Sequence, residues 1–407
     1  MARRLKKHMF FTGNVCYKGY FLLFLLIING KMHDGERCVQ MRTRLFDFFK
    51  KDLLFTLSLI LAIVTCSIGH FSWSFIDDKV LFSLFGLMLV INGLEHAGLL
   101  HALGQKMLQK SHNLRRLIQS IVLLSFFSSM VLTNDVAILT LLPIYLSITR
   151  TVQNRPSILL GAVYLTAAAN IGSSLFPFGN PQNLFLFSFY GISLPNFLAT
   201  TALFVGLSLV ILLLLIQRLP KTPLTIPAES IVFKKKESLL YSGLLLTIIL
   251  GIFAIVPMPA AFGLTIGVIA LYNRKLFLKV DYLLLLTFVF FFLIVGNIQS
   301  QTAIIDTIKP YFQESHQALL GSIVLSQFIS NVPAAILIAP FTTLEKVVLL
   351  GVNIGGFGTL IASLANLIAY KLVKQARPKE IKLYQKQFYL VNIVFLITIA
   401  AIVYVLL

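Results

Sequence analysis

Residues 134–143 read NDVAILTLLP, and residues 170–183 read NIGSSLFPFGNPQN. The same pair of passages recurs in the second half of the chain, where residues 331–340 read NVPAAILIAP and residues 353–366 read NIGGFGTLIASLAN. In both short passages the opening Asn stands 9 positions before the closing Pro, and in both longer passages 13 positions separate the first Asn from the last. The chain therefore contains one pattern twice.

Both copies place Asn, Gly and Pro in strongly apolar surroundings. Within a membrane, residues of this kind interrupt a helix and leave backbone amides unpaired, and each unpaired amide costs about 2 to 7 kcal/mol in an apolar medium. Interrupted backbone at membrane depth is tolerated where it lines a polar site. The repeated passages therefore predict two helix breaks that form one shared polar site.

The composition is that of an integral membrane protein, with 57% hydrophobic residues, 12% charged residues and a mean hydropathy of +0.88. A chain of 407 residues has room for roughly nine or ten crossings. The net charge of +19 does not indicate nucleic-acid binding, because the basic residues recur in every second loop and are not gathered on one segment. The three cysteines lack the spacing of a zinc site or a disulfide framework.

The sequence divides into four segments. Residues 1–52 form a basic leader, which is either an extra cytoplasmic segment or an upstream extension of a chain that starts at Met41. Residues 53–216 form the first repeat, residues 217–238 a basic cytoplasmic linker and residues 239–407 the second repeat. Crossings are predicted at 53–70, 80–104, 195–216, 239–256, 260–273, 282–299 and 388–407, interrupted crossings at 157–190 and 346–372, and re-entrant hairpins at 114–149 and 316–342.

The loop charges predict how the chain is oriented. Six loops that this layout places on one side hold 26 of the 34 Lys and Arg residues, whereas the other side holds only Lys79, Lys309 and Lys346. By the positive-inside rule the basic loops are cytoplasmic. Because five crossings lie between the hairpins, the first hairpin enters from the cytoplasm and the second from outside. We therefore predict an all-α polytopic membrane protein with two inverted-topology repeats, each with a re-entrant hairpin and a broken transmembrane helix.

A broken helix presents free N–H groups at the start of one half, which attract an anion, and free C=O groups at the end of the other half, which hold a small cation. Asn adds an uncharged donor and acceptor, Gly allows close backbone approach, and Ser and Thr add hydroxyls. The candidate substrate- and ion-binding residues are Thr133, Asn134, Asp135, Asn170, Gly172, Ser173, Gly179, Asn180, Asn183, Ser330, Asn331, Asn353, Gly355, Gly356, Gly358, Thr359 and Asn366. A sodium ion is predicted near Asn134, Asn170, Asn331 and Asn353.

A simpler interpretation is that these Asn residues only join transmembrane helices, at about 0.6 to 2 kcal/mol per contact. Two copies at matched spacing favour a site instead. Asp135 and Glu95 are the carboxylates best placed within membrane segments, where an ionisable group marks a functional site by default. Asp135 lies at a predicted hairpin tip and can take a proton or a sodium ion, whereas Glu95 lies toward the cytoplasmic end of its helix, where a solvated role is equally expected. The sequence has no nucleophile, metal-ligand or nucleotide motif, so we do not expect an enzyme.

Four passages resemble the paired signatures of the ion transporter superfamily: TNDVAILTLLP, ANIGSSLFPFGNPQN, SQFISNVPAAILIAP and GVNIGGFGTLIASLAN. The sequence is most similar to the citrate-transporter-like group, which includes ArsB-type arsenite permeases, NhaD-type sodium/proton antiporters and the YbiR-type bacterial inner-membrane permeases. The resemblance covers about residues 53–407. It implies an elevator-type transporter, often a homodimer, whose two hairpin tips and two helix breaks enclose the substrate and coupling ions. The tips read TND and SNVP in place of the Ser-Asn-Thr of dicarboxylate carriers, so dicarboxylate specificity is not implied.

We therefore expect a secondary active transporter for a small anion, coupled to Na⁺ or H⁺. The alternatives are a cation/proton antiporter of the NhaD type with Asp135 as the exchanging carboxylate, the membrane subunit of an arsenite-type extrusion system, a passive channel, and a membrane enzyme or structural protein. The expected partners are the small ion, the lipid bilayer and a second copy of the chain, with no nucleic acid and no cofactor apart from bound Na⁺. The expected location is the bacterial inner (plasma) membrane, with the basic loops in the cytoplasm.

Overall fold

A computed structural model describes residues 53–109, 111–152, 154–224 and 233–407. The predicted leader, residues 1–52, lies outside the described residues. The described residues form helices and connecting loops without a β-strand. In chain order the helices are α1 Leu53–Ile68, α2 Asp78–Ala97, α3 Leu99–Gln109, α4 Leu114–Leu132, α5 Asn134–Ile148, α6 Arg155–Ser173, α7 Pro181–Phe189, α8 Leu194–Gln217, α9 Lys235–Ile252, α10 Met258–Asn273, α11 Tyr282–Gln299, α12 Thr302–Ile308, α13 Ser315–Ile329, α14 Asn331–Ile338, α15 Glu345–Gly355, α16 Leu364–Ala376 and α17 Ile381–Leu406.

Seven helical segments in this part of the chain are long and apolar enough to cross a membrane. They are Asp78–Ala97, Leu114–Leu132, Arg155–Ser173, Leu194–Gln217, Met258–Lys279, Tyr282–Gln299 and Pro378–Leu406. Three shorter apolar segments accompany them, namely Phe55–Ile68, Asn134–Ile148 and Asn331–Phe341. The described part of the chain is therefore all-helical, and the chain is a multi-pass membrane protein, as the composition predicts.

The second helix ends earlier than the sequence predicts. Asp77 begins α2, because its carboxylate oxygen Oδ1 accepts the backbone N–H of Val80 at 3.0 Å. Gly98 ends α2, because its φ of 78° lies in the left-handed region that a helix cannot continue through. The crossing predicted over 80–104 is therefore present but ends at Ala97, and α2 and α3 are separate helices.

Both stretches that were predicted as hairpins contain two helices separated by a single residue. In the first, α4 packs against α5, and in the second, α13 packs against α14. Asn113 begins α4, since its Oδ1 accepts the backbone N–H of Arg116 at 3.0 Å. Each pair of helices therefore turns at a tip of one residue.

The two halves of the chain contact each other in matching pairs. Within each half, the first hairpin helix packs on the first part of the interrupted crossing, as α4 on α6 and α13 on α15. Between the halves, α5 packs on α16, and α14 packs on α7. The second helix of each hairpin therefore lies against the second part of the other half's interrupted crossing.

Among the residues that the structure describes, the buried apolar side chains form two clusters. Helices α4, α5, α6, α16 and α17 contribute to the first cluster, and helices α2, α7, α9, α11 and α14 to the second. In the first interrupted crossing, α6 belongs to the first cluster and α7 to the second. In the second hairpin, α13 belongs to the first cluster and α14 to the second. The polar passages therefore lie where the two apolar clusters meet.

Candidate functional site

The two hairpin tips share an unusual backbone conformation. Thr133, between α4 and α5, has φ 73° and ψ 154°, and Ser330, between α13 and α14, has φ 77° and ψ 154°. Almost only glycine adopts this region, and a residue with a side chain is held there at a cost of order 1 to 3 kcal/mol. Strain of this size persists where the surrounding structure imposes it, and it is concentrated at functional sites. The repeated sequence pattern is therefore accompanied by repeated backbone strain.

Both interrupted crossings contain the breaks that the sequence predicts. The first break separates α6 from α7, and the second separates α15 from α16. Asn180 begins α7, because its Oδ1 accepts the backbone N–H of Asn183 at 3.0 Å. Pro181 occupies the first turn of α7, where its missing N–H has no helical partner to lose. In the second break, Gly358 has a φ of 99°, which a glycine adopts without a steric cost.

Four asparagines join the two breaks across the halves of the chain. Asn170 of α6 donates from Nδ2 to Oδ1 of Asn366 on α16, at 2.9 Å. Asn353 of α15 donates from Nδ2 to Oδ1 of Asn183 on α7, at 2.7 Å. The two bonds are equivalent, because each runs from the first Asn of one 14-residue passage to the last Asn of the other. The repeated asparagines are thus brought together, and all four are buried.

Asn180 and Ser363, which immediately precede α7 and α16, also donate hydrogen bonds to the opposite half of the chain. Asn180 donates from Nδ2 to Oδ1 of Asn353 at 3.4 Å, and Ser363 donates from Oγ to Oδ1 of Asn170 at 3.3 Å. Asn180 also approaches Ser173, whose backbone carbonyl accepts from Asn180 Nδ2 at 3.4 Å. The side-chain oxygen of Asn170 therefore accepts hydrogen bonds from both halves of the chain, and that of Asn353 accepts two from the opposite half.

Each hairpin tip contacts the break of its own half. Asn134 donates from Nδ2 to Oδ1 of Asn170 at 3.0 Å. Asn331 donates from its backbone N–H to the carbonyl of Ala362 at 3.0 Å. Its side-chain nitrogen Nδ2 borders Gly356, where an added Cβ would lie 3.1 Å away. The tips and the breaks therefore form one continuous polar cluster.

The helix ends supply the positive potential of this cluster. Helices α5 and α14 begin at Asn134 and Asn331, and helices α7 and α16 carry Asn183 and Asn366 in their first turns. The start of an α-helix carries about half a positive charge. Within the described residues, no Lys, Arg or His side chain donates a hydrogen bond to these asparagines. The cluster can therefore attract an anion through four helix starts and can hold a cation on carbonyl and amide oxygens.

Asp135 distinguishes the first tip from the second. Its backbone N–H donates to Oδ1 of Asn134 at 3.0 Å, and its own carboxylate oxygen Oδ1 is buried without a hydrogen-bond partner in the described structure. The matching residue of the second tip is Val332. Glu95 lies outside the cluster, exposed near the end of α2. Of the two carboxylates singled out from the sequence, only Asp135 adjoins the asparagine cluster.

The predicted glycines permit close packing between helices. Gly172 lies against Ser129 of α4, and Gly355 lies against Ser326 of α13, where an added Cβ would come within 2.6 Å of the hydroxyl oxygen Oγ. The two contacts correspond, because Ser129 and Ser326 both lie five residues before the Asn of their tip. Gly179 makes a similarly close approach to the backbone of its own break. These three glycines therefore place the hairpins and breaks close together.

Gln327 is a member of the site that the sequence analysis does not identify. It donates from Nε2 to the carbonyl of Gly355 at 2.7 Å, and its Oε1 accepts the backbone N–H of Thr359 at 3.0 Å. The hydroxyl of Thr359 donates in turn to the backbone carbonyl of Gln327 at 3.0 Å. The matching residue of the first half is Met130, so a search for repeated polar residues passes over this position.

Ser363 was also missed, although the repeat contains a signal for it. It precedes Asn366 by three positions, as Asn180 precedes Asn183. Both residues have extended backbone and stand immediately before a helix. Alignment of the two passages on their last Asn would have added Ser363 to the candidates.

Comparisons with known proteins agree on the class of the chain. The citrate transporter family matches residues 46–344. An uncharacterised transporter of Methanocaldococcus jannaschii is 34% identical over 300 residues, which are 73% of this chain and 81% of that protein. The inner membrane protein YbiR of Escherichia coli is 33% identical over 317 residues, 75% of this chain and 83% of that protein. A silicon efflux transporter of Oryza sativa is 32% identical over 148 residues, 35% of this chain and 30% of that protein.

Proposed function

Because this chain belongs to the citrate transporter family, whose members are transporters and not enzymes, we propose that it moves a small anion by secondary active transport coupled to Na⁺ or H⁺. The observation that carries the proposal is the reciprocal pair of bonds that joins Asn170 to Asn366 and Asn353 to Asn183. Interrupted helices that meet at a polar site are a recurrent way for membrane carriers to bind substrate and coupling ions. Carriers of this kind move their ligand by alternating exposure of the site to the two sides.

The exchange of contacts between the halves supports an inverted-repeat, elevator-type fold. Helix α5 packs on α16 as α14 packs on α7, which is the pairing expected when a two-fold axis relates the halves. Five predicted crossings separate the hairpins, and an odd number reverses the orientation of the second half. In this proposal the hairpins re-enter the membrane from opposite sides and meet at its midplane.

The charges of the helix ends suggest where each ion binds. The anion would lie at the starts of α5, α7, α14 and α16, whose N–H groups point outward from the helix ends. Sodium would lie at the ends of α6 and α15, near Asn134, Asn170, Asn331 and Asn353, whose carbonyl and amide oxygens are hard ligands. An anion and a cation held side by side offset each other's charge, which lowers the cost of carrying both through a medium of low dielectric constant.

The loop charges and the similar proteins support a location for this protein in the cell. The similarity to the inner membrane protein of Escherichia coli supports a bacterial inner membrane, with the basic loops in the cytoplasm. We further propose that the protein is a homodimer, as its family resemblance implies.

The proposal is tested with purified protein in two steps. Thermal unfolding is first measured with a panel of oxyanions and dicarboxylates, in sodium chloride or in choline chloride. A ligand at 100 times its dissociation constant stabilises the folded state by about 2.7 kcal/mol, and a shift that requires sodium identifies the coupling ion as well. Flux of that anion is then measured in proteoliposomes under an imposed Na⁺ or H⁺ gradient.

Two variants make the flux experiment specific to the site. We expect Asn331→Ala to lower flux at least tenfold, because Asn331 lies at the second tip, and we expect Asn392→Ala to retain it. Asn392 is equally buried, but its Nδ2 bonds only to the carbonyl of Phe388 in its own helix. Saturable flux that follows the gradient supports a carrier, whereas an ohmic, non-saturating current would replace this proposal with a channel.

One observation favours a second candidate function, a cation/proton antiporter. The buried Oδ1 of Asp135 has no hydrogen-bond partner among the described residues, and a carboxylate at membrane depth commonly binds the transported ion. In this alternative, Na⁺ and H⁺ compete for Asp135. If Asp135→Asn abolishes pH-dependent Na⁺ exchange while no anion is taken up by the unaltered protein, the antiporter replaces the anion carrier.

A further inference from the structure

Asn183 and Asn366 are fully buried, and each is hydrogen-bonded through both the nitrogen and the oxygen of its side-chain amide. Each exposes 0% of its surface. Both N–H groups of the Asn366 amide are occupied, because Nδ2 donates to the carbonyls of Gly356 and Thr359 at 3.0 and 3.1 Å. Asn183 donates from Nδ2 to the carbonyl of Ser174 at 3.3 Å. The nitrogen of each side chain is therefore bonded to the backbone of its own break.

The oxygen of each side chain is bonded to the opposite half of the chain. Oδ1 of Asn183 accepts from Asn353 at 2.7 Å, and Oδ1 of Asn366 accepts from Asn170 at 2.9 Å. Each amide thus links three places: the helix that carries it, the loop of its own break, and the interrupted helix of the other half. A side chain with these three attachments, and without exposed surface, cannot contact a ligand unless the hydrogen bonds between the two breaks are broken.

We infer that Asn183 and Asn366 are positioning residues that couple the two helix breaks to each other, and that they do not contact the transported ion. The inference rests on the proposal that the breaks form the transport site, and it refines the set of candidate ligands. The coupling makes the two breaks one unit, so that a change in the shape of either is transmitted to the other.

The hairpin tips retain the free groups that a ligand needs. Thr133 makes no side-chain hydrogen bond within the described residues, and the hydroxyl of Ser330 has only a 3.5 Å contact with Oδ1 of Asn331. Hydroxyl groups without a short bond in the protein can turn toward a ligand at little cost. In this inference Thr133 and Ser330 at the tips contact the ion, whereas Asn183 and Asn366 hold the two breaks in place.

Hydrogen exchange tests the coupling without any ligand. The purified full chain is placed in lipid nanodiscs, and amide exchange is followed by mass spectrometry in peptides that cover residues 174–180 and 356–363, the first and second breaks. We expect Asn183→Ala to speed exchange about tenfold in both breaks, because the substitution also leaves one buried N–H of the Asn353 amide without its partner. Asn366→Ala should do the same through Asn170, whereas Asn392→Ala should change neither break.

The decisive observation is the break in the opposite half. Faster exchange of residues 356–363 in Asn183→Ala supports the coupling, and a change confined to residues 174–180 overturns it. If the alanine variant cannot be purified, Asn183→Ser replaces it, since serine is too short to reach Asn353 but can bond to its own backbone. Because no transport is measured, failure of this test leaves the proposed function standing, and failure of the flux experiment leaves the coupling standing.

Discussion

Replacing Thr133 by glycine should raise the stability of the protein and lower its transport rate at the same time. Thr133 occupies a conformation that costs of order 1 to 3 kcal/mol for any residue with a side chain. Glycine removes that cost but adds about 0.5 to 1 kcal/mol of chain entropy in the unfolded state. The hydroxyl of Thr133 makes no hydrogen bond in the described structure, so its removal breaks no contact of this kind. The expected net gain is about 1 kcal/mol, and the same reasoning applies to Ser330.

Thermal unfolding of purified protein measures this gain. For a chain of this size, a gain of about 1 kcal/mol raises the melting temperature by about 1 to 2 °C. Thr133→Ala is the matched comparison, because alanine also removes the hydroxyl but retains the strain. Ala254→Gly is the control away from the site, since Ala254 has a φ of 57° between α9 and α10 and glycine relieves it there as well.

Flux measurements then distinguish the effect of backbone strain from the effect of losing the Thr133 hydroxyl. Thr133→Gly and Thr133→Ala should both reduce flux of the transported anion, because both remove a hydroxyl that the proposal places against the ion. Ala254→Gly should gain stability with unchanged flux. The strain argument would be refuted if Thr133→Gly melted no higher than Thr133→Ala.

An added methyl group at Gly172 would clash with α4, so Gly172→Ala should lower the melting temperature by about 3 °C or more. A Cβ at Gly206 would have no atom within 4 Å, so Gly206→Ala should change the melting temperature by no more than about 1 °C. Gln327→Met installs the residue that the first half carries at the matching position. It should speed hydrogen exchange in the second break by about tenfold, because both side-chain hydrogen bonds from Gln327 to that break are lost. Arg377 donates from Nη2 to the carbonyl of Thr149 at 2.7 Å, so Arg377→Gln should cost about 1 to 3 kcal/mol of stability in denaturant unfolding.

These three variants have distinct contradicting outcomes. Equal melting temperatures for Gly172→Ala and Gly206→Ala would show that α4 and α6 can move apart freely. Unchanged exchange in Gln327→Met would mean that Gln327 does not hold the second break. For the third variant the control is Arg150→Gln, because Arg150 is exposed, and equal loss of stability in both would point to a general effect of charge.

The positions of the helix breaks and of the single-residue tips were predictable because the pattern that marks them occurs twice. A stretch predicted as a hairpin at 316–342 consists of helices Ser315–Ile329 and Asn331–Ile338, and the crossing predicted at 282–299 is the helix Tyr282–Gln299. Matched intervals between asparagines also predicted that Asn170 and Asn366 lie close together, and their side chains are hydrogen-bonded. Repetition turned a weak signal from single residues into a strong one.

Features that occur once, or that depend on geometry, were not predictable in this way. The boundary at Gly98 was missed because its immediate neighbours, Ala97 and Leu99, are apolar, and the left-handed φ of that glycine separates α2 from α3. Gln327 was missed because its counterpart is Met130. The strained backbone of Thr133 and Ser330 leaves no mark in the sequence, since neither residue type favours positive φ.

Neither half of this chain contains all the helices that its own helices pack against. During synthesis, α5 is made long before α16, and α7 long before α14, yet each needs the later helix as its packing partner. Until then, Nδ2 of Asn170 and Oδ1 of Asn183 lack the partners that the second half supplies. The nascent first half is therefore the stage at which this protein depends most on shielding by other factors. Two nascent chains side by side would offer each other the missing surfaces, which makes exchange of halves between polypeptides its characteristic error of assembly.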